Sequence, residues 1–148
     1  MSDLPILLLS GPNLNLLGSR EPHHYGTDTL DDHVVTARRT AERFGLALDD
    51  LQSNHEGVLV DAIHAARTTT SAIIINAASF THSSWAIHDA LAAYDHPVVE
   101  LHLSNPDGRE KWRRTSVISP VATGTISGFK GDGYRLAVEA VAALLGAT

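Results

Sequence analysis

Short apolar runs alternate along this chain with amphipathic stretches, and the hydrophobic period switches between two and about 3.6 residues. Ile6 to Ser10 is an apolar run that predicts a buried strand. Gly11 to Asp28 is rich in Gly, Pro and Asn and predicts a long loop. Thr29, with Asp32 three residues on, has the pattern of a capping box and opens a helix expected to reach about Phe44, where Gly45 suits its end. Leu46 to Gln52 predicts a second strand, and Glu56 to Arg67 a second helix with Val60, Ile63 and His64 on one face. Ala72 to Ile75 reads Ala-Ile-Ile-Ile, the pattern of a strand covered on both faces in a parallel sheet. A polar loop, Asn76 to Ser84, leads into a helix over Trp85 to Tyr94. Pro97 to Leu103 predicts a fourth strand, followed by a turn over Ser104 to Gly108. Thr115 to Ile118 gives a fifth, with Thr125 to Ser127 a further candidate for it. The last helix is expected over Gly131 to Leu145, with Leu136, Val141, Leu144 and Leu145 as its apolar side.

Strands and helices that alternate through short links predict an α/β fold with a parallel, doubly wound sheet. Five strands favour the flavodoxin-like order 2-1-3-4-5. Ligands of such sheets bind beyond the carboxyl ends of the strands, where the winding reverses. The loops after the first, third and fourth strands should therefore converge. No linker, internal repeat or low-complexity segment divides the chain, so residues 1–148 are expected to form one catalytic domain.

Composition narrows the chemistry. With 43% hydrophobic and 19% charged residues the chain is globular in type. It has no cysteine, which excludes disulfides, thiolate metal sites and a thiol nucleophile. A net charge of −6 argues against a nucleic-acid partner. No segment approaches the roughly 20 apolar residues of a membrane span, and the apolar start lacks the basic lead of a signal peptide. A soluble, cytoplasmic protein is expected. Lys111 and Lys130 are the only lysines, so Schiff-base chemistry has just two candidates.

Several motifs are absent. The glycines around Lys130 do not form a phosphate loop. No GxGxxG follows the first strand, no HExxH metal spacing occurs, and there is no GxSxG elbow. What remains are three polar loops. The first, Gly11 to Gly26, exceeds the usual two to six residues of a strand–helix connection and carries Asn13, Asn15, Arg20 and Tyr25. It reads equally as a functional lid or as an ordinary packed loop. The second, Asn76 to Ser84, supplies an amide, several hydroxyls and His82. Capping by Ser83 or Ser84 accounts for the serines but not for His82. In the fourth strand, alternation places Glu100, His102 and Ser104 on one face. A carboxylate two residues from a histidine can orient the imidazole for acid–base work. Arg109 to Arg114 holds four basic residues in six, either a solvated turn or a source of one guanidinium, Arg113, for an oxygen-rich ligand.

Together these stretches resemble type II 3-dehydroquinate dehydratases. The similarity rests on GPNLNLLGSREPHHYG, on QSNHEG, on IINAASFTHSS with AIHDAL, on VELHLSN, and on Arg109-Glu110, Arg113 and Gly133-Tyr134. It spans almost the whole chain in order. The resemblance implies a flavodoxin-like fold and dodecamers built as four trimers. It also implies a lyase of the shikimate pathway of aromatic amino-acid biosynthesis. That enzyme eliminates water anti from 3-dehydroquinate, through an enolate, to give 3-dehydroshikimate without metal or cofactor. Carried over by position, Tyr25 would be the base, and Arg20, in a mobile lid, would favour its phenolate. His102 would be the general acid, oriented by Glu100, and Asn13 would help to stabilise the enolate. Asn76, His82, Arg113, Ser104 and the backbone of Leu103 would bind substrate, and Asp89 would act across a subunit boundary.

The chain departs from the family pattern at Ala77-Ala78-Ser79, where one or two glycines are usual. Other departures are His88 in place of an arginine, Pro106-Asp107-Gly108, Thr115, Val117 and Lys130. Other readings of the same residues stay open. One is a catalytically silent homologue that binds a small molecule or serves as a scaffold. Another is a flavodoxin-like module for a nucleotide or flavin, which the missing phosphate loop disfavours. The same reaction could also serve quinate breakdown.

Overall fold

Five parallel strands, β1 (Ile6–Ser10), β2 (Leu48–Gln52), β3 (Ala72–Asn76), β4 (Val98–His102) and β5 (Gly124–Ser127), pair in the order β2-β1-β3-β4-β5. This computed structural model describes residues 3–19 and 21–147, apart from the side chains of Pro22 and Tyr25. The register brings the carboxyl ends level. Ser10 pairs with both Gln52 and Asn76, Ile75 with Glu100, and His102 with Ser127. The order is the one expected from the alternation of elements.

Each strand splits its side chains between two cores, as period-two geometry requires. Ile6, Leu8, Ile74 and Leu101 face α2 (Leu30–Arg43) and α5 (Asp132–Leu144). Leu9, Ile73, Ile75 and Val98 face α3 (Glu56–Thr69) and α4 (Trp85–Ala92). All five residues of β3 are buried, which is why Ala72 to Ile75 run apolar without interruption before Asn76. The capping box opens α2 as anticipated: Asp32 N–H donates to Thr29 Oγ1, and Thr29 N–H to the Asp32 carboxylate. After α2, Gly45 takes φ +71°, a conformation that a β-carbon disfavours.

Several boundaries and faces differ from the sequence reading. The long first loop contains a 3₁₀ turn, Leu14–Leu16, and a short helix, α1 (Pro22–Tyr25). The polar loop after β3 is largely a 3₁₀ turn, Ala78–His82. The fifth strand is Gly124–Ser127, while residues 115–118 form no strand. There Val117 N–H donates to the Thr81 carbonyl (2.8 Å), so the segment's backbone pairs with the turn after β3 and not with the backbone of β4. In α5 the buried face is Tyr134, Ala137, Val138, Val141 and Ala142, with Leu144 about half exposed. The close approach to the sheet is at Gly133, where a β-carbon would lie 2.8 Å from Leu101 Cδ1. In α3 the buried residues are Leu59, Ile63 and Ala66, and His64 points to solvent.

Candidate active site

Three strand ends deliver the polar loops to one cleft. Beyond β1 the chain turns at Asn13, which holds φ +69°. This turn is tied down from β2: Gln52 Nε2 donates to the Gly11 carbonyl (3.1 Å) and Asn54 Oδ1 accepts from the Asn13 N–H (3.0 Å). Beyond β3, buried Asn76 accepts the Ala78 N–H on its side-chain oxygen (3.1 Å). Ala78 holds φ +53°, so a departure from the glycine pattern falls on a residue in the left-handed region. Its β-carbon costs about 1–2 kcal/mol there. Further along the turn, the His82 Nδ1–H donates to the Thr115 carbonyl (2.7 Å) and the ring meets Trp112 edge-on. Burial holds His82 below the usual histidine range. His102 and Arg113 nearby act in the same sense, against the bond to Thr115 and the Glu100 carboxylate.

At the end of β4, Glu100 is 1% exposed and carries a saturated carboxylate. Oε2 accepts from His102 Nε2 (2.6 Å) and Ser116 Oγ (2.8 Å), and Oε1 from Ser119 Oγ (2.5 Å) and Thr125 Oγ1 (3.2 Å). Burial opposes the charge, but the bonds from His102, Ser119 and Ser116 and the neighbouring imidazole outweigh it and hold Glu100 below the usual carboxylate range. Because a carboxylate only accepts, the proton between the two groups sits on Nε2 and Nδ1 is left to face a ligand. Next along the chain, Ser104 Oγ accepts from Arg109 Nη1 (3.2 Å), and Arg109 Nη2 stands 3.9 Å from Glu21 in the first loop. Arg113 donates to Glu110, and its guanidinium lies 4.1 Å from the Trp112 ring centre.

The result is a cleft that brings together Asn13, Asn76, His82, His102, Ser104 and Arg113, with Leu103 and Arg109 in its wall. A second pocket adjoins it, shares His82, His102 and Arg113 with it, and is lined further by Glu100, Ser116, Ser119, Thr125 and Ser127. Asp89 does not line the cleft; it lies on α4, its carboxylate exposed and 3.1 Å from His88 Nδ1. Tyr25 ends α1, and its side chain is not among those described; Arg20 lies outside the described residues. Among the described residues, no group of three or more His, Asp or Glu could hold a metal ion.

Sequence reasoning missed Arg109 as a cleft residue, although it lies in the basic run, and missed the anchors Gln52 and Asn54. It also missed Ser116, Ser119 and Thr125. Only sheet register sets Thr125 beside Glu100, and no local pattern marks the two serines.

An imidazole backed by a buried carboxylate, with guanidinium, amide and hydroxyl groups around it, is equipped for proton transfer on a small anionic, hydroxyl-rich ligand. The fold is that of a flavodoxin-like protein, with a histidine–carboxylate pair at the carboxyl ends of its strands. The Dehydroquinase class II family model matches residues 4–142, and the chain belongs to that family. It is 52% identical over 143 residues to a 3-dehydroquinate dehydratase of Caulobacter sp. (strain K31), covering 97% of both chains. A catabolic 3-dehydroquinase of Aspergillus clavatus is 53% identical over 137 residues, covering 93% of this chain and 91% of its own. The crystal structure of a type II dehydroquinase from Butyrivibrio crossotus superposes with a TM-score of 0.91 at 38% identity. That match covers 95% of this chain and 99% of the other.

Proposed function

We propose that the protein removes water from 3-dehydroquinate by anti elimination through an enolate, giving 3-dehydroshikimate. The observation that carries this reading is the His102–Glu100 pair, closed at 2.6 Å and opening on a cleft lined by Asn13, Asn76, His82 and Arg113. The chain around it is half identical to proteins of that activity.

In this reading Tyr25 takes the proton from the carbon next to the ketone. A free tyrosine titrates near ~10, so a base at neutral pH needs about two to three units of depression, roughly 3–4 kcal/mol. A guanidinium close by and shielded from water supplies a term of that size, the role given to Arg20. Negative charge moves to the ketone oxygen, where Asn13, through a water, offers a donor placed before the charge develops. The enolate then reforms the carbonyl as the carbon–oxygen bond to the leaving hydroxyl breaks. For this step His102 carries a proton on both ring nitrogens: Nε2–H stays bonded to Glu100, whose charge balances the ring, and the Nδ1 proton passes to the hydroxyl, which departs as water and leaves the neutral Nε2-protonated imidazole. Arg113, His82, Asn76, Ser104 and the Leu103 backbone hold the substrate. Asp89, exposed here, is assigned to the neighbouring subunit's site in a dodecamer of four trimers; a stable monomer by mass measurement in solution would refute that assembly.

The test is to mix the protein with 3-dehydroquinate and follow the ultraviolet absorbance of the conjugated product. Product formation that persists after borohydride treatment with substrate and disappears in Tyr25→Phe is expected. Absence of product would favour the silent, binding-only homologue. His102→Ala should slow water loss more than exchange of the proton next to the ketone, and equal losses would overturn its assignment as the acid. We assign the reaction to the shikimate pathway. The similarity to a catabolic 3-dehydroquinase supports quinate breakdown as the second reading. Loss of the gene should create a requirement for aromatic amino acids in the first case and abolish growth on quinate in the second.

A further inference from the structure

The hydroxyls behind Glu100 do not touch the cleft, yet three separate elements aim them at one carboxylate. Ser116 lies in the segment after Arg113, Ser119 begins a 3₁₀ turn (Ser119–Val121), and Thr125 lies in β5 directly opposite Glu100 in the register. Ser116 has a second task, since its Oγ also accepts the N–H groups of Ile118 and Ser119. Among the described residues, the hydroxyls of Ser119 and Thr125 have Glu100 alone as hydrogen-bond partner. Both hold Oε1, the oxygen turned away from His102.

We infer that Ser119 and Thr125 are positioning residues for the acid step: they hold Glu100 from the far side and, through it, hold the His102 ring with Nδ1 toward the ligand. A carboxylate has about four acceptor directions, and here all four are used. A carboxylate bonded only to His102 and Ser116 could turn about its terminal torsion, which is broad for glutamate. With Oε1 bonded on the opposite side, that rotation breaks two hydrogen bonds to an ionised group, the stronger kind. Partners behind a functional histidine fix its tautomer and ring angle in the same way at metal sites.

The cage also decides when the pair loses its charge. The other charged or titratable groups facing it are His82 from the turn after β3, and Asp107, Arg113 and Arg114 from the segment after β4; β5 adds only hydroxyls. Without the two donors on Oε1, burial is less well opposed and Glu100 takes up a proton at higher pH.

This inference rests on the dehydratase reading for its kinetic part, so the test has two arms. In the first, the Ser119→Ala/Thr125→Val double variant is assayed with 3-dehydroquinate. Expected are a fall in kcat of about tenfold, KM within about twofold because no cleft residue has changed, and an acidic limb of the kcat profile moved up by about one pH unit. Ser119→Thr, which keeps the hydroxyl, should restore most of the rate to Ser119→Ala. A lower Tm with kcat and the acidic limb unchanged would show a merely structural role and overturn the proposal. In the second arm, ¹⁵N spectra of the imidazoles report the His102 tautomer in the ligand-free protein. The parent should show the Nε2-protonated form and the double variant a mixture of tautomers. Unchanged spectra would overturn the proposal whether or not the parent turns over. An inactive parent with the expected spectra would instead remove the dehydratase reading and leave the positioning supported.

Discussion

Replacing Gly11 with alanine tests how tightly the strand ends set the cleft. Gly11 follows β1, and its N–H donates to the Asn76 carbonyl at the end of β3 (2.8 Å). A β-carbon at this position would lie 2.5 Å from the Ala77 carbonyl oxygen and 2.7 Å from its carbon. Both are backbone atoms, so no side chain can swing aside. Non-bonded carbon contacts settle near ~3.5–4 Å, and the two loops must part by about 1 Å. Overpacking of this kind costs about 1–3 kcal/mol, and weakening the Gly11–Asn76 hydrogen bond adds about 0.5–1.5 kcal/mol. The sum is roughly 2–4 kcal/mol. For a chain of this size each kcal/mol lowers Tm by about 2–4 °C, so a drop of about 5–15 °C is expected by calorimetry. The same displacement moves Asn13 relative to Asn76, and a 1 Å error in a reacting geometry costs about 100-fold in rate. Turnover of 3-dehydroquinate below the unfolding range should fall by one to two orders of magnitude. A Tm within about 2 °C of the parent, with a rate within twofold, would refute the claim that the close approach of β1 and β3 positions the site.

Two further perturbations address the backbone and the pH response. Ala78→Gly should raise Tm by about 1–2 °C: relief of the left-handed strain (about 1–2 kcal/mol) exceeds the entropy that glycine adds to the unfolded chain (about 0.4–1 kcal/mol). A fall of more than 3 °C in a thermal melt would count against the strain. His33 is buried with its ring stacked on Tyr134 at 4.7 Å, and burial lowers its pKa despite Asp28 and Asp32. Below about pH 6.5 the unfolded chain therefore takes a proton that the folded one refuses. This contribution leaves stability intact above that pH and erodes it on acidification, by at most ~1.4 kcal/mol per unit per histidine. His82, also lowered, adds in the same direction. Urea midpoints at pH 7.5 and 5.5 should differ less in His33→Gln than in the parent, and equal differences would rule out the burial penalty.

The sequence by itself determined the class of fold and the strand order. An uninterrupted Ala-Ile-Ile-Ile run suits a strand covered on both sides, and short alternating links leave few topologies. It also put Glu100 and His102 on one face, since residues two apart in a strand point the same way. Tertiary structure decided the rest. It chose Gly124–Ser127 and not residues 115–118 as the edge strand, because backbone pairing beside β4 depends on how the chain returns and not on local propensity. It turned α5 onto Tyr134, Ala137, Val138, Val141 and Ala142 and left Leu144 half exposed, since the docking angle of the helix and not hydropathy alone selects the inner face. It set Ser119 and Thr125 behind Glu100 and brought Arg109 into the cleft, contacts between residues that share no local pattern. Local spacing encodes which side chains point the same way, whereas only the folded chain encodes which loops arrive at the same place.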